Sequence, residues 1–272
     1  MSDRTVLVTG AGTGIGLAAV VELARRGYDA VAGVRTEAKA RAVKRAARKA
    51  AVKVRTITLD VNDPALCEEV VSSLEPFGLV NNAGVSVGGA IEDVSDDDAR
   101  LALETMVLAP ARLARLAVPH MRAHGGGRIV NISSIYGLMT TPLTGWYQAA
   151  KHALEALSDA LRVEVASDEI YVVLIEPGAF RSDIWESAGN DLQRRIDSDY
   201  FAAYRRLEGG IKAGQRLMGD PIDVARVIAS VMTAKNPKPR YLVGFDARAV
   251  DIYSKLLPTE VRDRLARLTL GL

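Results

Sequence analysis

A tyrosine and a lysine stand four positions apart in Tyr147-Gln148-Ala149-Ala150-Lys151, within a stretch that has the pattern of a helix. Residues four apart lie on one helix face, so the lysine ammonium can lie near the tyrosine phenol. A phenol with an ordinary pKa of about 10 is a poor acid or base at neutral pH, and a nearby cation favours its ionised form. We therefore expect Lys151 to lower the pKa of Tyr147 and the pair to perform acid–base chemistry, although ordinary amphipathic helices carry the same spacing.

A serine hydroxyl is expected close to this pair. Ser134 ends the strand-like run 130–134 and precedes Tyr147 by 13 residues. A hydroxyl at the carboxyl end of a sheet strand can hydrogen-bond a substrate oxygen held near the phenol. Acyl transfer by Ser134 would need a histidine base and a Gly-x-Ser-x-Gly turn, and this turn is absent from the sequence.

A glycine-rich turn follows the first strand-like run and leads into a helix-forming segment. It consists of Gly10, Gly12, Gly14 and Gly16, with Thr13 and Ile15 between them. Alternate glycines let a backbone turn sharply and approach a pyrophosphate, and the helix N-terminus that follows offers unpaired N–H groups and a positive dipole. The position between a strand and a helix predicts a nucleotide phosphate site.

The end of the second strand bears on the choice of dinucleotide. NAD sites commonly place Asp or Glu there, whereas NADP sites place Arg near the 2′-phosphate. Arg35 stands just past this strand, and no carboxylate occupies the strand end. We expect NADP(H) to be preferred, while Glu37 and the uncertain strand boundary leave NAD(H) open.

Short apolar runs alternate with helical patterns along the whole chain, as expected for a parallel sheet with crossover helices. The predicted strands are Thr5–Thr9, Asp29–Val34, Val52–Leu59, Leu79–Asn81, Arg128–Ile132, Ile170–Ile175 and Tyr241–Val243. Capping signals begin several helices, at Asp63-Pro64, Asp220-Pro221 and Ser95 with Asp98. The pattern predicts an α/β fold: one doubly wound domain over residues 1–272, with a seven-stranded parallel sheet flanked by helices.

Residues 180–219 break the alternation, because most of this stretch is polar and helical without an adjoining strand. Ligands bind at loops beyond the carboxyl ends of such strands, so we expect residues 180–219 to cover a substrate site.

Composition excludes several classes of protein. With 272 residues, 49% of them hydrophobic, and a net charge of +2, the chain is neither disordered nor strongly basic. We therefore predict no nucleic-acid partner, and since the sequence has no long apolar run, no stable membrane insertion. The single cysteine, Cys67, and a start without an apolar leader predict a cytoplasmic protein with Cys67 as inert packing.

Several motifs occur in a fixed order between about residues 5 and 245: the glycine turn, Asn81-Asn82-Ala83-Gly84, Ser134, Tyr147 with Lys151, and Glu176-Pro177-Gly178. Together they resemble the short-chain dehydrogenase/reductase family. The resemblance implies a Rossmann-type domain that exchanges a hydride between a nicotinamide cofactor and an alcohol or carbonyl. It also implies assembly as a homodimer or homotetramer.

The resemblance implies a role for each matching residue. Tyr147 would give or take the hydroxyl proton, Lys151 would bind the nicotinamide ribose and tune Tyr147, and Ser134, in preference to its neighbour Ser133, would orient the substrate oxygen. The further implied cofactor contacts are Asp60 and Val61 near the adenine, Asn82, Ala83 and Gly84 beside the cofactor, and Pro177 and Gly178 at the nicotinamide.

One position departs from the family pattern. Many members have Asn in the helix after the fourth strand, where it serves a proton relay to the lysine, and Met106 takes that place here. The relay would then run through a backbone carbonyl, or the enzyme would be slower, or the chain would be a nucleotide-binding sensor or scaffold. A methionine that simply fills a helix interface also accounts for this position.

The residues around Ser134 and Tyr147, together with Tyr241-Leu242-Val243-Gly244, are similar to the hydroxysteroid and retinol dehydrogenase branch. This similarity implies a lipophilic small-molecule alcohol or ketone as substrate, with a 3-oxoacyl-type substrate as the alternative. We predict no metal, because His120 and His124 have no evident third ligand. The basic amphipathic C-terminal segment is expected to pack on protein.

Overall fold

The computed structural model describes residues 4–182, Trp185, Gly189 and residues 196–272, with backbone alone for residues 249 and 251–255. Within this part of the chain, seven strands form one sheet. They are β1 (Thr5–Thr9), β2 (Asp29–Val34), β3 (Arg55–Thr58), β4 (Gly78–Asn81), β5 (Gly127–Ile132), β6 (Ile170–Pro177) and β7 (Arg240–Val243). All neighbouring strands are parallel, in the order β3-β2-β1-β4-β5-β6-β7.

The helices are α1 (Gly14–Arg25), α2 (Glu37–Lys49), α3 (Pro64–Leu74), α4 (Asp96–Leu103), α5 (Ala109–Ala123), α6 (Gly145–Glu164), α7 (Phe201–Gly214), α8 (Pro221–Thr233), α9 (Phe245–Leu256) and α10 (Thr259–Leu270). A π-helical segment, Glu104–Leu108, joins α4 to α5. Short 3₁₀ turns include Ile91–Asp93 and Ile135–Gly137.

Alternate side chains of each strand enter two apolar layers, one on each face of the sheet. Val6 and Val8 of β1 pack with α1 and α8, whereas Leu7 between them packs with α3 and α5. Both faces are therefore covered, which explains why the strands read as nearly continuous apolar runs. The prediction of a doubly wound parallel sheet is confirmed.

The capping residues begin their helices as predicted. Asp63 accepts from the N–H of Leu66 at 3.1 Å, and Asp220 accepts from that of Ile222 at 3.0 Å. Ser95 accepts from the N–H of Asp98 at 3.1 Å and donates to its carboxylate at 2.9 Å. These side chains satisfy N–H groups that a helix start leaves unpaired.

The predicted start of the third strand at Val52 is wrong, because β3 begins at Arg55. The chain uses Ala50 to Val52 to end α2: Ala51 takes a φ of 55°, and the N–H of Val52 bonds back to the carbonyl of Ala47 at 3.0 Å. An N–H used to close a helix cannot join the sheet.

The strand order reverses between β1 and β4, and ligands of such sheets bind beyond the strand ends at this point. Among the helices that the model describes, none combines the length and apolar content needed to cross a bilayer.

Candidate active site

The glycine turn lies between β1 and α1 and is held from the β4 side. Gly10 takes a φ of +63°, and a Cβ there would lie 2.8 Å from the Cα of Ala83. A Cβ on Gly16 would lie 2.5 Å from the Nδ2 of Asn82. Side chains at these two positions would push the turn away from the loop after β4, so glycine is required at both.

The N-terminus of α1 is open to an anion. Its N-cap, Thr13, is extended, makes no side-chain capping bond in the described structure, and no acidic residue occupies the first turn. Side chains cap α2, α3, α4 and α8, whereas α6, α7 and α10, like α1, have no side-chain cap in the described structure. The unpaired N–H groups and positive dipole of α1 therefore fit the pyrophosphate of a dinucleotide.

The space beside Gly12 and Gly14 is used by the protein's own side chains. A Cβ on Gly12 would lie 2.8 Å from the Cβ of Lys39, and one on Gly14 would lie 2.9 Å from the Cβ of Ser182. Because Gly12 and Gly14 have no Cβ, the side chains of Lys39 in α2 and of Ser182 after β6 can pack against the edge of the turn.

Thr9 is a functional residue of the turn that the sequence reasoning missed. Its Oγ1 accepts hydrogen bonds from the N–H groups of Asn82 and Ala83, each at 3.0 Å. The side-chain amide of Asn82 in turn donates to the carbonyls of Thr9 at 2.9 Å and Gly10 at 3.2 Å. Asn82 and Ala83 thus fasten the turn to the end of β4. In the sequence, this role of Thr9 was indicated by nothing more than a hydroxyl side chain at the end of an apolar run.

Arg35 follows β2 directly and is exposed, with Lys39 one turn into α2. Glu37, which kept NAD(H) open, is turned toward Arg41, with 3.6 Å between its Oε1 and the arginine Nη1. The end of β2 therefore presents cationic side chains next to the glycine turn, which fits a phosphate group on the ribose.

Asp60 and Val61 follow β3 at the same edge of the sheet. The Oδ1 of Asp60 accepts from the N–H of Asn62 at 3.0 Å, and Val61 is buried. Cys67 lies behind them, buried, with its Sγ 3.4 Å from the carbonyl of Val61. Burial raises the pKa of the Cys67 thiol, which is consistent with its predicted role in packing.

Pro177 ends β6, and Gly178 follows it. The N–H of Ala179 donates to the Oδ2 of Asp246 at 2.6 Å, and the Asp246 carboxylate fills the position of a Cβ on Gly178. Asp246 thereby joins the start of α9 to the end of β6. A side chain at position 178 would displace it.

Ser134, Tyr147 and Lys151 meet beyond the end of β5. Ser134 lies close enough to the Tyr147 hydroxyl to act on its pKa as a hydrogen-bond partner. The Nζ of Lys151 lies 5.6 Å from the centre of the Tyr147 ring and donates to the carbonyl of Ile132 at 2.8 Å. The ring of Tyr136 packs edge-on against that of Tyr147, with 6.1 Å between centroids.

The prediction that Lys151 lowers the pKa of Tyr147 is wrong for the protein without bound ligands. Burial raises the pKa of Tyr147 to about 12, and the hydrogen bond with Ser134 opposes this only in part. Burial also lowers the pKa of Lys151 to about 8, against the attraction of Glu155. Desolvation disfavours the charged form of both groups, so Tyr147 is a neutral phenol at pH 7.

Met106 fills a helix interface, as one of its interpretations held. It is buried in the π-helical segment, packs in one apolar cluster with Ala150 and Tyr147, and lies with its Sδ 3.7 Å from a Cβ position on Gly84. A π-helical segment breaks the regular hydrogen bonding of a helix and often marks a functional site.

The covering segment leaves and rejoins the sheet at one place. Residues 183, 184, 186–188 and 190–195 of this predicted element lie outside the described residues. At its base, Phe180 and Gly219 form a β-bridge, and the N–H of Gly219 bonds to the carbonyl of Ala179 at 2.9 Å. The segment is therefore an excursion that begins and ends beside Gly178.

Residues 196–219 of the predicted cover are bound to the loop after β4. Tyr204 of α7 donates to Asp93 in the 3₁₀ turn and accepts from the N–H of Ala90 at 2.8 Å. Ser198 also donates to Asp93, at 2.5 Å. Two chain segments that follow different strands, β4 and β6, are thus joined to each other.

His120 and His124 lie on the surface beside Glu75, at 3.5 and 3.7 Å from its carboxylate oxygens. Across the described residues, no group of three or more His, Cys, Asp or Glu side chains is arranged to hold a metal ion.

The comparisons with known proteins agree with this geometry. The model of the short chain dehydrogenase family matches residues 4–193. The oxidoreductase YusZ of Bacillus subtilis is 34% identical over 95% of both chains. The NADPH-dependent 3-dehydrocapnine reductase of Ornithobacterium rhinotracheale is 31% identical over 96% of this chain and 95% of that protein. Human retinol dehydrogenase 5 is 30% identical, over 96% and 87%.

Solved structures resemble the fold over nearly its full length. A short-chain dehydrogenase from Streptomyces avermitilis superposes with a TM-score of 0.77 at 29% identity, covering 99% of this chain and 96% of that one. Actinorhodin polyketide ketoreductase with NADPH gives a TM-score of 0.76 at 26% identity, covering 88% and 95%. The chain therefore belongs to the short-chain dehydrogenase/reductase family of NAD(P)-dependent oxidoreductases.

Proposed function

We propose that this enzyme uses NADP(H) to reduce a lipophilic ketone or aldehyde, with Tyr147 as the proton donor, Ser134 as the group that orients the substrate oxygen, and Lys151 as the cation that binds the nicotinamide ribose. One observation carries the proposal: beyond the end of β5, the Tyr147 hydroxyl lies beside Ser134 and the Lys151 ammonium lies near the Tyr147 ring, in a sheet whose β1 leads into a glycine turn and an uncapped helix N-terminus.

The state of Tyr147 supports reduction as the favoured direction at neutral pH. A carbonyl that receives a hydride must also receive a proton, and a phenol with a pKa of about 12 holds its proton at pH 7. Ser134 can donate to the same carbonyl oxygen and keep it within reach of the phenol. In the reverse direction Tyr147 would have to lose its proton first.

Preference for NADP(H) is supported by the cations at the end of β2. Arg35 lies just past the strand end at which an acidic residue commonly selects NAD(H), Lys39 follows in the first turn of α2, and Glu37 is turned toward Arg41. A relative over nearly the whole chain is named as NADPH-dependent. When bound, the nicotinamide supplies the hydride. In this scheme the N-terminus of α1 holds the pyrophosphate, and Asp60, Val61, Asn82, Ala83, Gly84, Pro177 and Gly178 line the remaining cofactor site.

A lipophilic substrate is supported by the cover and by the relatives. The cover carries large apolar side chains with exposed surface, at Ile196, Phe201 and Leu217. Retinol dehydrogenase 5 is a relative over most of both chains. A β-keto thioester of 3-oxoacyl type is the second candidate, because a polyketide ketoreductase shares the fold at 26% identity.

A homodimer or homotetramer is part of the proposal. Exposed leucines on α4, the π-helical segment and α6, namely Leu101, Leu108 and Leu157, support contact with a second copy of the chain. Light scattering on a sizing column tests this, and a monomer at micromolar concentration contradicts it.

The test of the activity is the loss of NADPH absorbance with a panel of retinoid and steroid carbonyls, aliphatic aldehydes and a 3-oxoacyl thioester. The control is Tyr147→Phe, which removes the hydroxyl and keeps the ring. Turnover by the parent enzyme and its loss in the variant support the proposal. Tight NADPH binding with no turnover on any carbonyl would instead support a sensor or scaffold, the role that Met106 left open.

A further inference from the structure

Four ionisable side chains follow one another along α6 at intervals of four residues: Tyr147, Lys151, Glu155 and Asp159. Residues four apart share a helix face. Lys151 and Glu155 are 6% and 7% exposed, whereas Asp159 is more open to solvent. A buried ammonium and a buried carboxylate thus lie one helical turn apart, directly behind the catalytic tyrosine.

Glu155 is held on one side only. Its Oε2 pairs with the guanidinium of Arg240, at the start of β7. Its Oε1 is buried and has no hydrogen-bond partner among the residues that the structure describes. The side chain packs against the 3₁₀ turn that follows Ser134, where a Cβ on Gly137 would lie 3.0 Å from its Cγ. A buried carboxylate oxygen that accepts no hydrogen bond interacts strongly with a neighbouring cation, because little water screens its charge.

Arg240 is not bound to Glu155 alone. Its guanidinium also pairs with Glu176 at 2.7 Å and with Asp159 at 2.5 Å, so three carboxylates share one arginine. Glu176 is 2% exposed. Arg162 offsets part of the charge of Asp159, at 3.1 Å on the solvent side. Arg240 therefore divides its charge among several carboxylates, and Glu155 is the buried one on the same helix as Lys151.

Among the described residues, other charged groups on elements packed against α6 have partners of their own. Glu104 of the π-helical segment pairs with Arg112 at 2.5 Å, and the aspartates that begin α4 are exposed and pair with Arg100. Tyr136 of the 3₁₀ turn is a phenol whose pKa is raised by burial, so it is uncharged at neutral pH. Met106 brings no charge. Glu155 lies one helical turn from Lys151, and Arg240 connects it to Glu176 of β6 and to the start of β7.

We propose that Glu155 is a positioning residue of the reaction: its carboxylate, oriented by Arg240, keeps Lys151 in the ammonium form at the pH at which the enzyme works. This inference rests on the proposed role of Lys151. A neutral lysine would bind the hydroxyls of a ribose more weakly and would offer no charge to the phenol.

The test follows the side-chain nitrogen of Lys151 by NMR in protein labelled with ¹⁵N-lysine, without cofactor or substrate. Lys151→Arg identifies the resonance by its loss. Glu155→Gln removes the carboxylate charge at constant size, and we expect the titration midpoint of Lys151 to fall by about one pH unit. Asp159→Asn is the matched control, because Asp159 also pairs with Arg240 but lies one helical turn further from Lys151. In this variant the titration midpoint of Lys151 should stay within about 0.3 pH unit of its value in the parent protein.

Arg240→Gln should move the midpoint in the opposite direction, since it leaves the carboxylates uncompensated beside Lys151. A merely structural role for Glu155 predicts no such pair of opposite shifts. If Arg240→Gln does not fold, the comparison of the Lys151 midpoint in Glu155→Gln with that in Asp159→Asn still tests the inference. An unchanged midpoint in Glu155→Gln overturns the inference.

A second readout connects the shift to the reaction. The pH above which NADPH binding weakens should move down with Glu155→Gln by the same amount as the Lys151 midpoint. A midpoint that moves while the binding profile stays in place also overturns the inference. Normal turnover in Tyr147→Phe would instead overturn the proposed function, and the NMR titration would still report the coupling between Glu155 and Lys151.

Discussion

The Nζ of Lys151 lies 5.6 Å from the centre of the Tyr147 ring and is bound to the carbonyl of Ile132. This arrangement places the cation beside the ring without a direct bond to the phenolic oxygen. Because both side chains are largely removed from water, each is driven toward its neutral form, and the phenol retains its proton. In the proposed reaction, Tyr147 therefore begins as a proton donor.

Replacing Tyr147 with Phe should remove most turnover and leave NADPH binding nearly unchanged. The variant loses a general acid, which typically contributes about 10²–10⁴-fold to the rate, while the ring still packs against Tyr136. Single-turnover rates and a fluorescence titration with NADPH measure the two quantities. A reduction rate close to that of the parent enzyme would contradict the assigned role.

The two directions of the reaction should differ in their dependence on pH. Between pH 6 and 7.5 the phenol of Tyr147 stays protonated, so carbonyl reduction should be nearly constant. Alcohol oxidation needs the phenolate of Tyr147, whose fraction grows about tenfold per pH unit below the pKa. The oxidation rate should therefore rise by up to about tenfold for each pH unit. Initial rates with one alcohol–ketone pair test this. A flat oxidation profile would show that the pKa of Tyr147 is far lower.

Arg35→Ala should discriminate between the two dinucleotides. Loss of a charge-assisted hydrogen bond to the 2′-phosphate should weaken NADPH binding by about 10- to 100-fold and leave NADH binding almost unchanged. Calorimetric titrations of both cofactors measure the effect. Arg41→Ala is a control on the outer face of α2, where the side chain pairs with Glu37. Equal weakening of both cofactors by Arg35→Ala would defeat the NADP(H) assignment.

Thr9→Val should destabilise the glycine turn. The substitution keeps the shape of the side chain but leaves the N–H groups of Asn82 and Ala83 without their acceptor, which costs about 1–3 kcal/mol of unfolding free energy. Thr9→Ser keeps the hydroxyl and serves as the control. Denaturant unfolding measures stability, and a Thr9→Val protein as stable as Thr9→Ser would exclude the proposed function of this hydroxyl.

Lys151→Met should abolish turnover and increase stability at pH 7. The folded protein holds Lys151 with a pKa of about 8, below the value of 10.5 expected in the unfolded chain, so charging it opposes folding at every pH below 8. Removing the charge should therefore stabilise by about 1–3 kcal/mol, after the loss of the bond to Ile132.

The gain should shrink as pH rises from 8 to 10.5, because the folded parent protein loses its proton first and its stability rises in this range. Thermal unfolding of the parent and Lys151→Met proteins at several pH values measures the difference. A variant less stable than its parent at pH 7 would contradict this account of Lys151.

Local sequence patterns were enough to predict the sheet and the glycine turn, and the four-residue spacing was enough to predict that Tyr147 and Lys151 share one face of α6. The strand end at Arg35 could also be located, because β2 is a continuous apolar run. By contrast, the start of β3 depended on how α2 ends, and the left-handed conformation of Ala51 is not marked by a glycine or asparagine.

Interactions between distant segments were beyond the reach of the sequence. Arg240 is 85 residues from Glu155, and they meet only because β7 lies beside β6 at the edge of the sheet. The pKa of Tyr147 depends on how completely neighbouring elements exclude water, which no spacing reports. The four-residue interval from Lys151 to Glu155 could be read from the sequence. Their burial, which strengthens the interaction between the two charges, could not.

The link from Tyr204 and Ser198 to Asp93 has a consequence for the proposal that residues 180–219 cover the substrate. Because three hydrogen bonds join Ser198 and α7 to the loop after β4, α7 cannot swing outward without either breaking them or drawing the loop of Ala90 with it. Under this proposal, the size of the substrate entrance depends on two chain segments. Changing the length of molecule that this enzyme accepts would then require redesigning both segments together.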